Sequence, residues 1–164
     1  MQVKVFEYPF IFKILFRFGN IPVTIILSVY LVPIIVNIDN DLIYIIPLII
    51  MLGLIYLVNK HYLRLYQILP YKITTNDEKI ICGDFLFNTK QVEIFYKDIE
   101  SLTGGLFEGR LSGLMKVWDG KSKICIGFYD RINGIKELQT ILLSRVNKDV
   151  YDKVVEKVGL KGKG

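Results

Sequence analysis

The sequence predicts an α+β protein: an N-terminal two-helix transmembrane hairpin followed by a small antiparallel β-sheet or barrel closed by a C-terminal helix. Two observations carry that expectation. Between Gly19 and Lys60 the only charged residues are Asp39 and Asp41, whereas from Lys60 onward charges alternate with apolar residues throughout. Beyond Tyr71 the hydrophobic period shortens towards two, and it lengthens again after Asn133. With 164 residues, 52% of them hydrophobic, and a mean hydropathy of +0.39, the chain is too short for several domains and too apolar for one ordinary soluble domain.

Residues 1–20 include "FEYPFIFKILFRFG", dense in aromatics, with Lys13 and Arg17 four positions apart and so on one helical face. Such a segment can lie along a membrane interface with its cations towards lipid phosphate, or pack on the following domain as an ordered strand or helix.

Residues 21–58 hold two apolar blocks, Ile21 to Ile38 and Leu42 to Val58. Each makes a helix of about 26 Å, close to the roughly 30 Å of a hydrocarbon core. One continuous helix would bury two aspartates at mid-length, so the chain is expected to turn at Asn37 to Asp41, with Asp41 capping the second helix. Neither block has the polar face of a helix in a soluble core. Pro22 suits a first helical turn, while Pro33 and Pro47 should kink the helices or shift their starts.

Basic residues set the orientation. Lys4, Lys13 and Arg17 precede the first span, Lys60, His61 and Arg64 follow the second, and the connecting loop has neither Lys nor Arg. Both termini are therefore expected in the cytoplasm, from a multi-pass position in the inner (cytoplasmic) membrane. The residues after the first block lack the small side chains of a signal-peptide cleavage site.

Residues 59–70 continue helical spacing as a juxtamembrane stalk until Pro70, with Tyr56, Tyr62 and Tyr66 in an aromatic belt. The segments "YKIT", "KIICGDFLFN", "QVEIFYKDIESL", "GLMKVWDG" and "KICIGFYD" read as strands separated by turn residues at Asn76-Asp77, Asp84 or Asn88, Gly104-Gly105 and Asp119-Gly120. "TGGLFEGRLSG" reads as a flexible strand connection, and Asp98 with Glu100 as a pair on one strand face. The closing helix carries Ile135, Leu138, Leu142 and Val146 on one face; Asn133 is its expected cap, Gly159 marks an end, and Asn147 to Asp149 is a candidate break before the helix and tail of 148–164.

From roughly Asn59 to Val146, and in the hairpin by architecture, the chain resembles the membrane-anchored bacterial pleckstrin-homology-like (bPH) domain family, with residues 71–147 as the PH-like domain. The resemblance rests on Tyr71, Ile73 and Thr74 opening a strand, on Asp98 and Ile99, on Arg110 and Gly113 before a hairpin, and on Asn133 before the closing helix. It implies a PH-like fold and a scaffold, assembly or regulatory role at the cytoplasmic face. The basic pair that phosphoinositide-binding relatives use has no counterpart in "YKITTNDEKIICGDF".

No phosphate loop, nucleophile elbow, zinc-protease motif or paired-cysteine motif is present, and the sole histidine, His61, lacks a catalytic partner in sequence. The expectation is a non-enzymatic protein with no catalytic, cofactor-binding or metal residues and no cofactor. The net charge of +5 lies beyond Asn59 and is dispersed, which argues against nucleic acid as a partner and suits membrane lipids. A second copy or a membrane protein is the other partner class. Candidate membrane-surface or partner contacts are Lys13, Arg17, Lys60, Arg64, Arg110, Lys116 and Trp118. An accessory subunit of a transporter or channel complex is the alternative reading.

Overall fold

The structure is a computed structural model and describes residues 3–38, 42–87 and 91–161. It forms two compact units, one made of Met1–Lys13 with Gln67–Gly164, the other of Ile14–Tyr66.

The helical unit contains most of α1 (Phe10–Phe18), α2 (Asn20–Asn37) and most of α3 (Ile45–Ile68), the last preceded by a 3-10 turn at Leu42–Tyr44. Both long helices are long and apolar enough to cross a membrane, with mean hydropathies of 1.9 over Asn20–Asn37 and 2.4 over Leu42–Ile68. A core helix of a soluble protein hides its apolar surface, whereas in this chain Leu31 is the only buried residue described in α2 and none is buried from Leu42 to Val58. The eleven Ile, Leu and Val residues between Ile21 and Val36 favour insertion into hydrocarbon by roughly 4 kcal/mol together. That surface supports membrane association.

Prolines set the helix boundaries. Pro22 has no amide proton to give the Phe18 carbonyl, which is where α1 gives way to α2. Pro47 falls in the first turn of α3, where its missing proton costs nothing, so it fixes a start. Pro33 stays inside α2, and the Asn37 side-chain amide donates to its carbonyl at 2.7 Å. Beyond the second apolar block α3 runs on without a break through the expected stalk to Ile68, two residues before Pro70. The expected hairpin tip at Asp39-Asn40-Asp41, including the Asp41 cap, lies outside the described residues, as does Asn88.

The other unit holds two antiparallel sheets, which do not close into a barrel among the described residues. The first contains β1 (Lys4–Glu7), β2 (Lys72–Thr75), β3 (Lys79–Gly83) and β4 (Val92–Phe95) in sequential order; the second contains β5 (Ile99–Thr103), β6 (Leu114–Asp119) and β7 (Ile124–Tyr129). α4 (Ile135–Arg145) and α5 (Lys148–Lys161) follow. Ile73, Ile80, Ile94, Ile99, Met115, Ile126, Leu138 and Leu142 are fully buried, so the core lies between the sheets and α4.

The first strand precedes both apolar helices in the chain. Lys4 pairs with Thr75 and Glu7 with Lys72, so residues on opposite flanks of the helical hairpin are neighbours in one ladder. Alternation decides its facing: Phe6 and Tyr8 point into the core while Val3 and Val5 are exposed. Asn133 donates its backbone amide to the Glu7 carbonyl at 3.0 Å, and the Tyr129 amide donates to the Tyr8 hydroxyl at 2.7 Å, tying β1 to the chain leaving β7. The strand alternative for part of residues 1–20 thus describes Lys4–Glu7.

Several local expectations change. Asn133 does not cap α4; the position before the helix is Gly134, whose φ of +73° is left-handed and whose backbone lies against the Phe6 ring. Gly159 does not end a helix, because α5 continues to Lys161. The glycine-rich connection follows a defined path: Gly104 and Gly105 have positive φ, Phe107 is buried with its ring edge on Phe128, and a Cβ on Gly104 would sit 2.2 Å from the Leu114 carbonyl oxygen. Asp98 falls in a 3-10 turn, Tyr96–Asp98, rather than on a strand face with Glu100.

Phe6 is 3% exposed and fills the space under Gly134. Phe6→Ala is expected to destabilise the sheet unit by about 3–5 kcal/mol. Urea unfolding followed by Trp118 fluorescence in detergent checks this, and a change of surface-substitution size would show that β1 does not complete the core.

Candidate functional site

Three places concentrate polar or exposed aromatic groups. In the helical unit a polar seam joins α2 to α3. Asn59 receives a hydrogen bond from the Asn20 amide at 3.0 Å and donates at 2.9 Å to the Thr24 hydroxyl and to the Ile55 carbonyl; the Tyr66 hydroxyl donates to Asn20 at 2.7 Å. Each such bond in an apolar setting contributes about 0.6 kcal/mol, up to roughly 1–2. The seam suits helices that cannot use the hydrophobic effect to stay together. Close approach is also demanded at Gly19, where a Cβ would lie 2.4 Å from the Tyr62 hydroxyl oxygen. Beside the seam an open groove of about 440 Å³ runs along α2, lined by Asn20, Thr24, Ser28, Asn59 and the apolar Ile21, Ile25, Val29 and Val32.

A second place is the outer face of β6. Successive residues of this strand alternate, so Met115 and Val117 enter the core while Lys116 and Trp118 face outward. Trp118 is 37% exposed and pairs across the ladders with Ser101 and Cys125. Its strand is held at the hairpin by Asp119, buried and accepting the Lys121 and Ser122 amides at 2.9 and 3.2 Å.

The third is a cleft of about 420 Å³ lined by Glu78, Phe95, Tyr96, Lys97 and Arg145. Arg145 ends α4 and donates to the Asn76 carbonyl and, at 3.0 Å, to Asp77; its guanidinium lies 5.4 Å from the Tyr96 ring centre. Asn147 donates to the Lys97 carbonyl at 3.1 Å. Arg145 therefore clamps the end of α4 to the β2–β3 turn, and the cleft's strongest donor is occupied by its own fold.

The candidate contacts distribute as follows. Lys13 forms an ion pair with Asp84, and Arg17 is half-buried one turn further along α1. Lys60 lies 5.1 Å from the Tyr56 ring centre and Arg64 is exposed, both on α3. Lys116 and Trp118 share one face of β6, whereas Arg110 lies in the preceding loop, exposed and 3.4 Å from Glu108. Sequence reading did not find the Arg145 clamp or the Asn20–Asn59 seam. Arg145 carries no local signal, but asparagines bounding apolar blocks are costly in lipid and do mark positions that need a partner.

Among the described residues no group of three or more His, Cys, Asp or Glu could hold a metal ion. Comparison with protein-family models, curated proteins and solved structures gives no match to this chain.

Burial pushes the Cys82 thiol and the Tyr8 hydroxyl far above their ordinary values of 9.0 and 10.0. Burial also raises Tyr96 and Cys125, with Arg145 and Lys116 respectively opposing the rise. For acids held neutral in the fold, the unfolded chain loses protons first as pH rises, so stability is full below pH 9 and falls above it. Between about pH 9 and pH 11 the sheet unit should lose stability at up to about 1.4 kcal/mol per pH unit for each of Cys82 and Tyr8. Urea midpoints across that window check the slope; a flat profile would contradict burial of the two groups.

Proposed function

We propose that the chain is a two-span protein of the cytoplasmic membrane whose cytosolic unit has PH-like architecture and works as a non-enzymatic interaction or scaffold module at the membrane surface. The observation that carries this reading is the β1–β2 ladder. It encloses the helical hairpin between two adjacent strands, so the sheet unit is tethered through both flanks of its anchor. A module whose chain enters and leaves its anchor from two adjacent strands is kept close to the membrane surface.

A small antiparallel domain followed by helices is what the bPH resemblance leads one to expect. The residues that carry the resemblance lie near element ends: Tyr71 precedes β2, which holds Ile73 and Thr74, Asp98 and Ile99 lie where β5 begins, Arg110 and Gly113 precede β6, and Asn133 lies two residues before α4. Lys13, Arg17, Lys60 and Arg64 flank the apolar helices and support the cytoplasmic side for both termini. The outward pair Lys116 and Trp118 is the natural contact surface, since an exposed tryptophan beside a cation offers both area and charge. The groove along α2 supports a second reading, an accessory subunit whose anchor packs on a transporter or channel.

The test combines topology with partners. Ser122→Cys in a Cys125→Ser background should react with a membrane-impermeant maleimide only after the membrane is opened. Labelling in intact cells would overturn the orientation. Full-length protein in mild detergent should then retain a partner in a manner sensitive to Trp118→Ala; insensitivity to that change, with a stoichiometric polytopic partner, would favour the accessory-subunit reading.

A further inference from the structure

α1 exposes a continuous apolar face that none of the described residues covers. Phe10, Ile11, Ile14, Leu15 and Phe18 are 45–76% exposed, and at 100° per residue they fall within an arc of about 140°. The rest of the circumference is engaged with the protein: Phe12 carries the Arg131 guanidinium 5.6 Å from its ring centre, Lys13 pairs with Asp84, and Phe16 and Arg17 are half-buried. Phe18 stands three residues before Ile21, the first exposed apolar residue of α2, so the face runs directly into the span.

We propose that α1 is an interfacial helix that embeds Phe10, Ile11, Ile14, Leu15 and Phe18 in the headgroup and acyl boundary of the bilayer, recognising apolar packing rather than headgroup charge. The proposal rests on the reading of the hairpin as membrane-embedded. Continuity with the span selects lipid as the occupant: a helix that begins where the hydrocarbon ends meets the interface before any other partner. Its indifference to charge follows from the face itself, which holds no charged residue: Lys13 pairs with Asp84, and Arg17 is half-buried outside the apolar arc.

The test uses full-length protein in nanodiscs with Cys125→Ser, leaving Cys82, which is fully buried and stays protonated. A nitroxide is attached to Ile11→Cys or Leu15→Cys, with Ile25→Cys as the span control and Lys121→Cys as the aqueous control. Accessibility to oxygen against a water-soluble nickel chelate reports depth. The expected result is a depth of about 5–10 Å below the phosphates at both α1 positions, the same in phosphatidylcholine as with added phosphatidylglycerol. Aqueous readings at both positions with Ile25 in lipid would overturn the proposal alone, as would shielding from both quenchers, which would mean a protein occupant. Depth that needs phosphatidylglycerol would overturn the apolar selectivity. An aqueous Ile25 would instead overturn the membrane reading on which the proposal rests.

Discussion

Everything in the sheet unit depends on one ladder, the pairing of Lys4–Glu7 with Lys72–Thr75. It brings Phe6 and Tyr8 into the core, and Tyr8 then meets the Tyr71 ring edge-on at 6.1 Å while accepting the Tyr129 amide. Without β1 the first sheet would expose the edge of β2, and Gly134 would close over an empty space. The cost is entropic: the closed loop contains both apolar helices. Loop-closure entropy grows only with the logarithm of length, and a rigid helical hairpin shortens the effective loop further.

Helix pairing and sheet formation therefore act on the same stretch of chain. The seam from Asn20 through Asn59 to Thr24 and Tyr66 holds α2 and α3 antiparallel, which brings the chain on their two flanks together. Under the proposed membrane reading the polar seam serves the helices as the core serves the sheets, because in lipid, packing and hydrogen bonds replace the hydrophobic effect. In α1, Lys13 pairs with Asp84 and Phe12 carries the Arg131 guanidinium, while Phe10, Ile11, Ile14, Leu15 and Phe18 are exposed.

Much of this was legible in the residues. The two apolar helices, the Asp119-Gly120 hairpin, the break near Asn147 and the buried Leu138 and Leu142 follow from period and turn chemistry, since each is fixed by neighbours close in sequence. β1 was the ambiguous case. Its alternation in "VKVFEY" is only one strand long, and its partner lies beyond both helices, so local pattern could not choose between strand and interfacial helix. The Arg145 clamp was invisible for the same reason, as its partners at Asn76 and Asp77 are remote in sequence. Asn133 misled because a capping residue type beside a glycine yields to the left-handed turn that only glycine makes cheaply.

Hydrogen exchange of the full-length protein in nanodiscs tests the central claim most directly. If β1 closes the sheet across the hairpin, the amides of Lys4–Glu7 should be protected to the same degree as those of Lys72–Thr75 and lose protection together with them in denaturant. Exchange of the N-terminal amides at the rate of an unstructured peptide, with β2 still protected, would contradict it.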